Sequence, residues 1–150
     1  MGFVTIAAND AGITRVAFGC ERIPGAENVS CSLTTAAAGQ ILEYFARKRT
    51  SFDLPVSLDA SEFRLAVWEA VRAIPYGESA TAAMIAERIG QPGAQRAVGG
   101  AIRANPLALI IPDHRVVTAS GRAWGDTASA NRRTKLLSFE QHRESHQSTH

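Results

Sequence analysis

The chain has 150 residues, of which 45% are apolar and 20% charged, with a net charge of +2. This balance suits a soluble globular protein of one ordinary domain or two small ones, and excludes a disordered chain. No apolar stretch approaches the roughly 18 residues of a membrane-spanning helix. The start, Met1-Gly2-Phe3-Val4-Thr5, lacks the basic stretch and apolar run of a secretory signal, so the cytoplasm is the expected location.

Charge is unevenly spread. Residues 1–60 carry five Lys/Arg and six Asp/Glu, whereas residues 61–150 carry eleven and eight. A basic second half fits a phosphate-facing surface, although an ordinary solvated surface gives the same small excess. The two cysteines, Cys20 and Cys31, are too few for an all-cysteine zinc site. They read as small buried or half-buried thiols, not as a disulfide.

In chain order, Phe3–Ala8 and Thr14–Phe18 are β-prone runs split by Asn9-Asp10-Ala11-Gly12, a hairpin pattern. Residues 19–33 read as a loop. Thr34–Lys48 predicts a helix with Ala38, Ile41, Leu42 and Phe45 on its apolar face. Ser51–Val56 is a short extended piece, and Ser57–Ser61 marks the boundary between halves. Asp59 or Ser61 caps a helix over Glu62–Ala73, with Phe63, Val67, Ala70 and Val71 inward. Ile74-Pro75-Tyr76-Gly77 stops it. Ser79 or Thr81 caps Ala82–Ile89, Gly90 ends that helix, and Gln91-Pro92-Gly93 leads into Ala94–Arg103, which together form a helix-turn-helix pattern. Leu107–Ile111 is an apolar run. Val116–Val117 with Ala123–Trp124, split by Ser120-Gly121, predicts a small hairpin wing. Arg132–Gln141 is a last helix, and residues 142–150 are expected to be a disordered polar tail.

Four runs carry a resemblance: Ile74-Pro75-Tyr76-Gly77-Glu78; Arg96-Ala97-Val98-Gly99-Gly100-Ala101; Asn105-Pro106; and Pro112-Asp113-His114-Arg115-Val116-Val117. In order and spacing they resemble the alkylguanine–DNA alkyltransferases, also called methylated-DNA–protein cysteine methyltransferases. The similarity covers about residues 61–140. Leu42-Glu43-Tyr44-Phe45-Ala46 and Phe52-Asp53-Leu54-Pro55 extend it into the first half, and residues 1–33 match only loosely.

The resemblance implies an α/β N-terminal domain over residues 1–58 and a mainly α, winged helix-turn-helix-like DNA-binding domain over residues 59–141. It implies that the second helix of the pair approaches DNA closely through small residues, here Ala94, Ala97, Gly99, Gly100 and Ala101. Arg96 would fill the gap left by an extruded nucleotide, and Arg103 lies on the same helix. Base flipping costs a few kcal/mol of unstacking, which an intercalated flat cation partly offsets. In the family a cysteine then takes the alkyl group, a histidine acting through water makes it a thiolate, and a glutamate orients the histidine. His114 and Glu140 match the last two, and Asn105 matches the asparagine supporting the preceding turn. Without the motif, a structural histidine or a solvated arginine would be the better reading.

The acceptor position, however, holds Asp113. A thiolate is a soft nucleophile, while a carboxylate is a harder and poorer one toward an alkyl carbon. Its ester product would be open to hydrolysis. The resemblance also places Ala82 and Asp126 where the family has tyrosines, and Thr127, Ala128 and Ser129 where it is glycine-rich. Alkyltransferase-like proteins, which bind alkylated guanine without transfer and recruit other repair factors, usually carry tryptophan at the acceptor position. Chemistry alone adds one expectation. Guanine presents a ring N–H beside an amino group, which a carboxylate accepts together, and alkylation of the exocyclic oxygen removes that ring N–H. Asp113 would then disfavour the alkylated base.

Two other constellations are weaker. His142, His146 and His150 would share a helix face able to bind a divalent metal, but disorder is the better expectation for the tail. Asp113 and His114 with Ser120 or Ser129 form no hydrolase triad in an extended segment, and there is no nucleophile elbow. The expected function is lesion recognition on DNA, of damaged or alkylated guanine by base flipping, without standard transfer to cysteine. The alternative is a methyltransferase of residual or altered activity using Asp113, and a third reading is a degenerate relative with a weakened DNA grip. Double-stranded DNA is the expected partner of a monomer, with other repair proteins as further candidates; no metal or cofactor is expected.

Overall fold

The computed structural model describes residues 4–18, 32–121 and 127–148. The chain divides into two compact units. One comprises the described residues up to Asp59 together with Pro106–Ile110, and the other Ala60–Asn105 with the described residues from Ile111 onward. The apolar run Leu107–Ile111, expected in the second domain, therefore falls largely in the first. Backbone pairing explains this: Val16 donates to the Pro106 carbonyl at 2.8 Å and accepts from the Ala108 N–H at 3.0 Å.

In the first unit, β1 (Val4–Asn9) and β2 (Gly12–Phe18) form an antiparallel hairpin. The Asn9 side chain accepts from the Ala11 and Gly12 N–H groups, which makes the turn. Gly12 is required by packing, since a Cβ there would lie 2.7 Å from the Pro55 carbonyl. Helix α1 (Ser32–Phe45) packs on the hairpin. Its buried face is Ala37, Ile41 and Tyr44, not the expected Ala38, Ile41, Leu42 and Phe45; Ala38 is exposed, Phe45 is half-buried and Leu42 is 71% exposed. Tyr44 packs its ring against Phe45 and Phe52, so turning it inward buries the largest side chain of the helix. The helix stops earlier than expected because Arg47 adopts φ 63, which lets Lys48 N–H close back on the Glu43 carbonyl at 2.8 Å.

In the second unit, α2 (Glu62–Arg72) is capped by Ser61, whose hydroxyl accepts from Arg64 N–H at 3.2 Å. Its buried residues are Val67, Trp68 and Val71. Trp68 docks α2 onto α4 (Gln95–Arg103) by donating its Nε1–H to the Ala101 carbonyl at 2.8 Å. Helix α3 (Ala82–Arg88) is capped by Thr81 and ends at Gly90, whose φ of 75 suits glycine. Helices α3 and α4 follow one another across the turn at residues 91–93, close to the expected bounds. Of the expected wing, Ala123–Trp124 lies outside the described residues, while Val116–Val117 is a strand. As β4 it pairs in parallel with β3 (Ala80–Thr81), which buries Val116, Val117 and Ala80. Helix α5 runs from Thr127 to Ser148. The tail expected to be disordered thus continues this helix through Ser148, consistent with the absence of Gly and Pro over that span. Among the described residues no helix is long and apolar enough to cross a membrane.

Candidate functional site

The site is built in the second unit around Glu140 of α5, which is 0% exposed. Its Oε1 accepts from Arg115 Nε at 2.9 Å and Gly77 N–H at 3.0 Å. Its Oε2 meets His114 Nε2 at 2.6 Å and accepts from Arg115 Nη2 at 3.0 Å. Arg115 completes its span by donating Nη1 to the Ile74 carbonyl at 2.7 Å, and its guanidinium lies over the Tyr76 ring. The Ile74–Gly77 run thus stops a helix and also lines this cluster. Burial pushes the Glu140 carboxyl up, but hydrogen bonds from His114 and Arg115, reinforced by their charges, outweigh it and hold the pKa at about 2. An ionised Glu140 makes His114 Nε2 the donor. Its Nδ1 is buried without a hydrogen-bond partner among the described residues.

Asp113, His114 and Arg115 form a 3-10 turn, not the extended segment expected. Asn105 donates its Nδ2 to the Ile111 carbonyl at 3.0 Å, which ties the end of α4 to the approach to this turn. Asp113 and His114 diverge: His114 meets Glu140, whereas Asp113 Oδ2 accepts from Arg133 Nη2 of α5 at 3.1 Å. The two side chains of that pair are 14% and 11% exposed. Ser120 bonds to Thr118 at 3.0 Å, and no Ser–His–Asp arrangement forms among the described residues.

The small-residue helix is only partly as expected. Arg96, Ala97, Gly100 and Arg103 are exposed on α4 and Ala94, its N-cap, is half-buried. Gly99 and Ala101 instead lie on its buried side with Val98 and Ile102, because the helical period carries them there. Gly100 has open space where a Cβ would stand, so nothing within the described chain requires a glycine there. Ala82 is buried in the first turn of α3. Asp126 lies outside the described residues, and Thr127 opens α5. Among the described residues no cluster of three or more His, Cys, Asp or Glu is placed to hold a metal ion.

Two site residues escaped the sequence reading. Arg115 carried a signal, a charge set directly against the apolar pair Val116–Val117, where a buried arginine calls for a partner. Arg133 carried none: nothing in the sequence separates it from Arg132, and only the turn of α5 selects it.

Residues 62–142 match the family model described as 6-O-methylguanine DNA methyltransferase, DNA binding domain. The chain belongs to this family. It is 38% identical over 143 residues to a methylated-DNA–protein-cysteine methyltransferase of Mycolicibacterium paratuberculosis, covering 93% of this chain and 87% of that one. A protein of the same name from Mycobacterium leprae is 45% identical over 106 residues, 71% of this chain and 64% of that one. The crystal structure of Mycobacterium tuberculosis OGT in complex with DNA superposes with a TM-score of 0.84 at 36% identity, covering 93% of this chain and 87% of that one. The mixed helix-and-sheet architecture is thus that of the methyltransferase fold, with its DNA-binding domain. One feature of this member is plain from its sequence: residues 62–142 contain no cysteine.

Proposed function

We propose that this protein is a DNA-binding alkyltransferase-like member of the family, which reaches a damaged or alkylated guanine by base flipping and passes no alkyl group to a cysteine. One observation carries the reading. The residue before His114 is an aspartate tied to Arg133, in a family-matched region without cysteine. The His114–Glu140 pair that would activate a thiol remains assembled, but the residue it would serve is a carboxylate with one oxygen engaged by a cation. That ion pair also weighs against Asp113 as a slow alkyl acceptor, because a guanidinium draws on the electron density an attack at carbon needs.

The docking role rests on α4. Helices α2 and α3 are capped by the Ser61 and Thr81 side chains, but the Ala94 N-cap of α4 makes no side-chain hydrogen bond. Its first turn holds no acidic residue and holds Arg96, which is exposed and has no ion-pair partner among the described residues. A cation at the positive end of a helix is unfavourable in isolation, and an anionic partner reverses that sign. Gly100, exposed with open space before it, permits close approach of a nucleic-acid backbone. Arg96 is the side chain assigned to replace the flipped nucleotide, with Arg103 on the same helix. The test is duplex binding across a salt series. Arg96→Ala is expected to lose affinity and lower the salt slope by roughly one. A wild-type protein that binds no duplex at low salt would overturn the proposal.

A further inference from the structure

We propose that Trp68 is a positioning residue for DNA docking: its indole N–H fixes α4 in its seat, so that Arg96 and Gly100 meet the duplex in one register. This rests on the reading above, in which α4 is the docking helix, and names the residue of α2 on which that docking depends.

Helix α4 has nine residues, a span of about 13 Å. Its Ala94 N-cap makes no side-chain hydrogen bond, so no such cap holds the end that carries Arg96. The inward side is Val98, Gly99, Ala101 and Ile102. Gly99 and Ala101 raise little or no ridge, so apolar packing alone sets the register of this helix weakly. A hydrogen bond is directional and sets it closely. At the C-terminal end, the Ala104 N–H returns to the Gly100 carbonyl at 3.1 Å and the Asn105 N–H to the Ile102 carbonyl at 3.2 Å. The carbonyl between them, that of Ala101, accepts from Trp68 Nε1 at 2.8 Å. The last carbonyls of a helix need partners of this kind, and an indole N–H can only donate. Helix α2 is a firm base for that donor, capped by Ser61 and buried through Val67 and Val71 on either side of Trp68. Trp68 itself is 4% exposed. Ala101 lies inward, whereas Arg96 and Gly100 are exposed, so the buried indole acts on the docking face through the helix and not by touching DNA.

The test is a double-mutant cycle on duplex affinity, read by fluorescence anisotropy at fixed salt and well below the melting temperature. Trp68→Phe keeps an aromatic ring and removes the N–H. It is expected to weaken binding about fivefold, with circular dichroism confirming the fold. In the Arg96→Ala background the same change should cost less than about twofold, because the side chain it positions is gone. Ile41→Ala, buried in α1, is the control: it should lower stability and leave affinity unchanged. A merely structural Trp68 would behave like this control. A second readout needs no change at Trp68. Its indole N–H resonance in NMR, assigned against Trp124→Phe because the chain has two tryptophans, should shift when duplex is added to the wild type. Should Trp68→Phe fail to fold, that resonance decides. Unchanged affinity in Trp68→Phe, equal losses in both backgrounds, or an indole resonance that duplex leaves in place overturns the inference. If the wild type then still binds duplex in an Arg96-dependent way, docking by α4 stands and only the role of Trp68 falls; absence of binding to every duplex removes both.

Discussion

Asp113 and His114 are neighbours in one 3-10 turn, yet their surroundings differ sharply. His114 belongs to a closed interior cluster in which both oxygens of Glu140 are used by Arg115, Gly77 and His114 itself. Asp113 sits at the edge of that cluster, partly exposed, with a single ion pair to α5. The comparison separates what the fold needs from what the chemistry needs. Arg115 and Glu140 hold α5 against the turn, so the groups that orient His114 are retained as structure whatever the neighbouring residue does. Position 113 is free of that duty, and its identity can change without dismantling the domain.

Substitution can break or sharpen this contrast. The largest effect is expected at Glu140. Glu140→Ala leaves the Arg115 guanidinium buried without its carboxylate and should lower unfolding free energy by about 3–5 kcal/mol in urea titration. Acid should act on the same group. Its pKa of about 2 lies below the ordinary 4.5, so the stabilisation is complete above pH 4.5 and is lost as pH falls from there toward 2. The shift corresponds to roughly 3 kcal/mol, and Glu140→Gln should flatten that part of the stability–pH curve. At the neighbouring position, Asp113→Ala removes one charge-assisted hydrogen bond and should cost only about 1–2 kcal/mol. If Asp113→Ala proved as damaging as Glu140→Ala, the two surroundings would not differ as described. Arg96→Ala should leave stability within about 0.5 kcal/mol while weakening DNA binding, which thermal melting and anisotropy together resolve.

Much of the second unit was legible in the sequence. Ser61, Thr81 and Gly90 are strong local punctuation, and the helices they bound fall within a residue or two of expectation. His114, Glu140 and Asn105 were legible through motif spacing, and the structure brings them around one turn. Other features depended on tertiary context. The inward face of α1 was set by Tyr44 and its ring contacts, where periodicity alone favoured Leu42. Val116–Val117 found a parallel partner at Ala80–Thr81, thirty-six residues back in the chain, which a local hairpin rule does not anticipate. Residues 106–110 joined the first unit through two backbone hydrogen bonds of Val16, which leave no trace in composition. Arg133 became visible only once α5 was laid against the turn.

The central claim is that this site keeps its activating histidine but has no alkyl acceptor. Incubation with duplex carrying O6-methylguanine labelled in the methyl group tests it most directly, with Asp113→Cys run alongside. The expected result is no label on the wild-type protein and none released into solution. The cysteine variant should become labelled, because Arg133 and the His114–Glu140 pair both favour a thiolate at that position. Label on the wild-type chain, or steady release of methanol from it, would contradict the account and make Asp113 an acceptor.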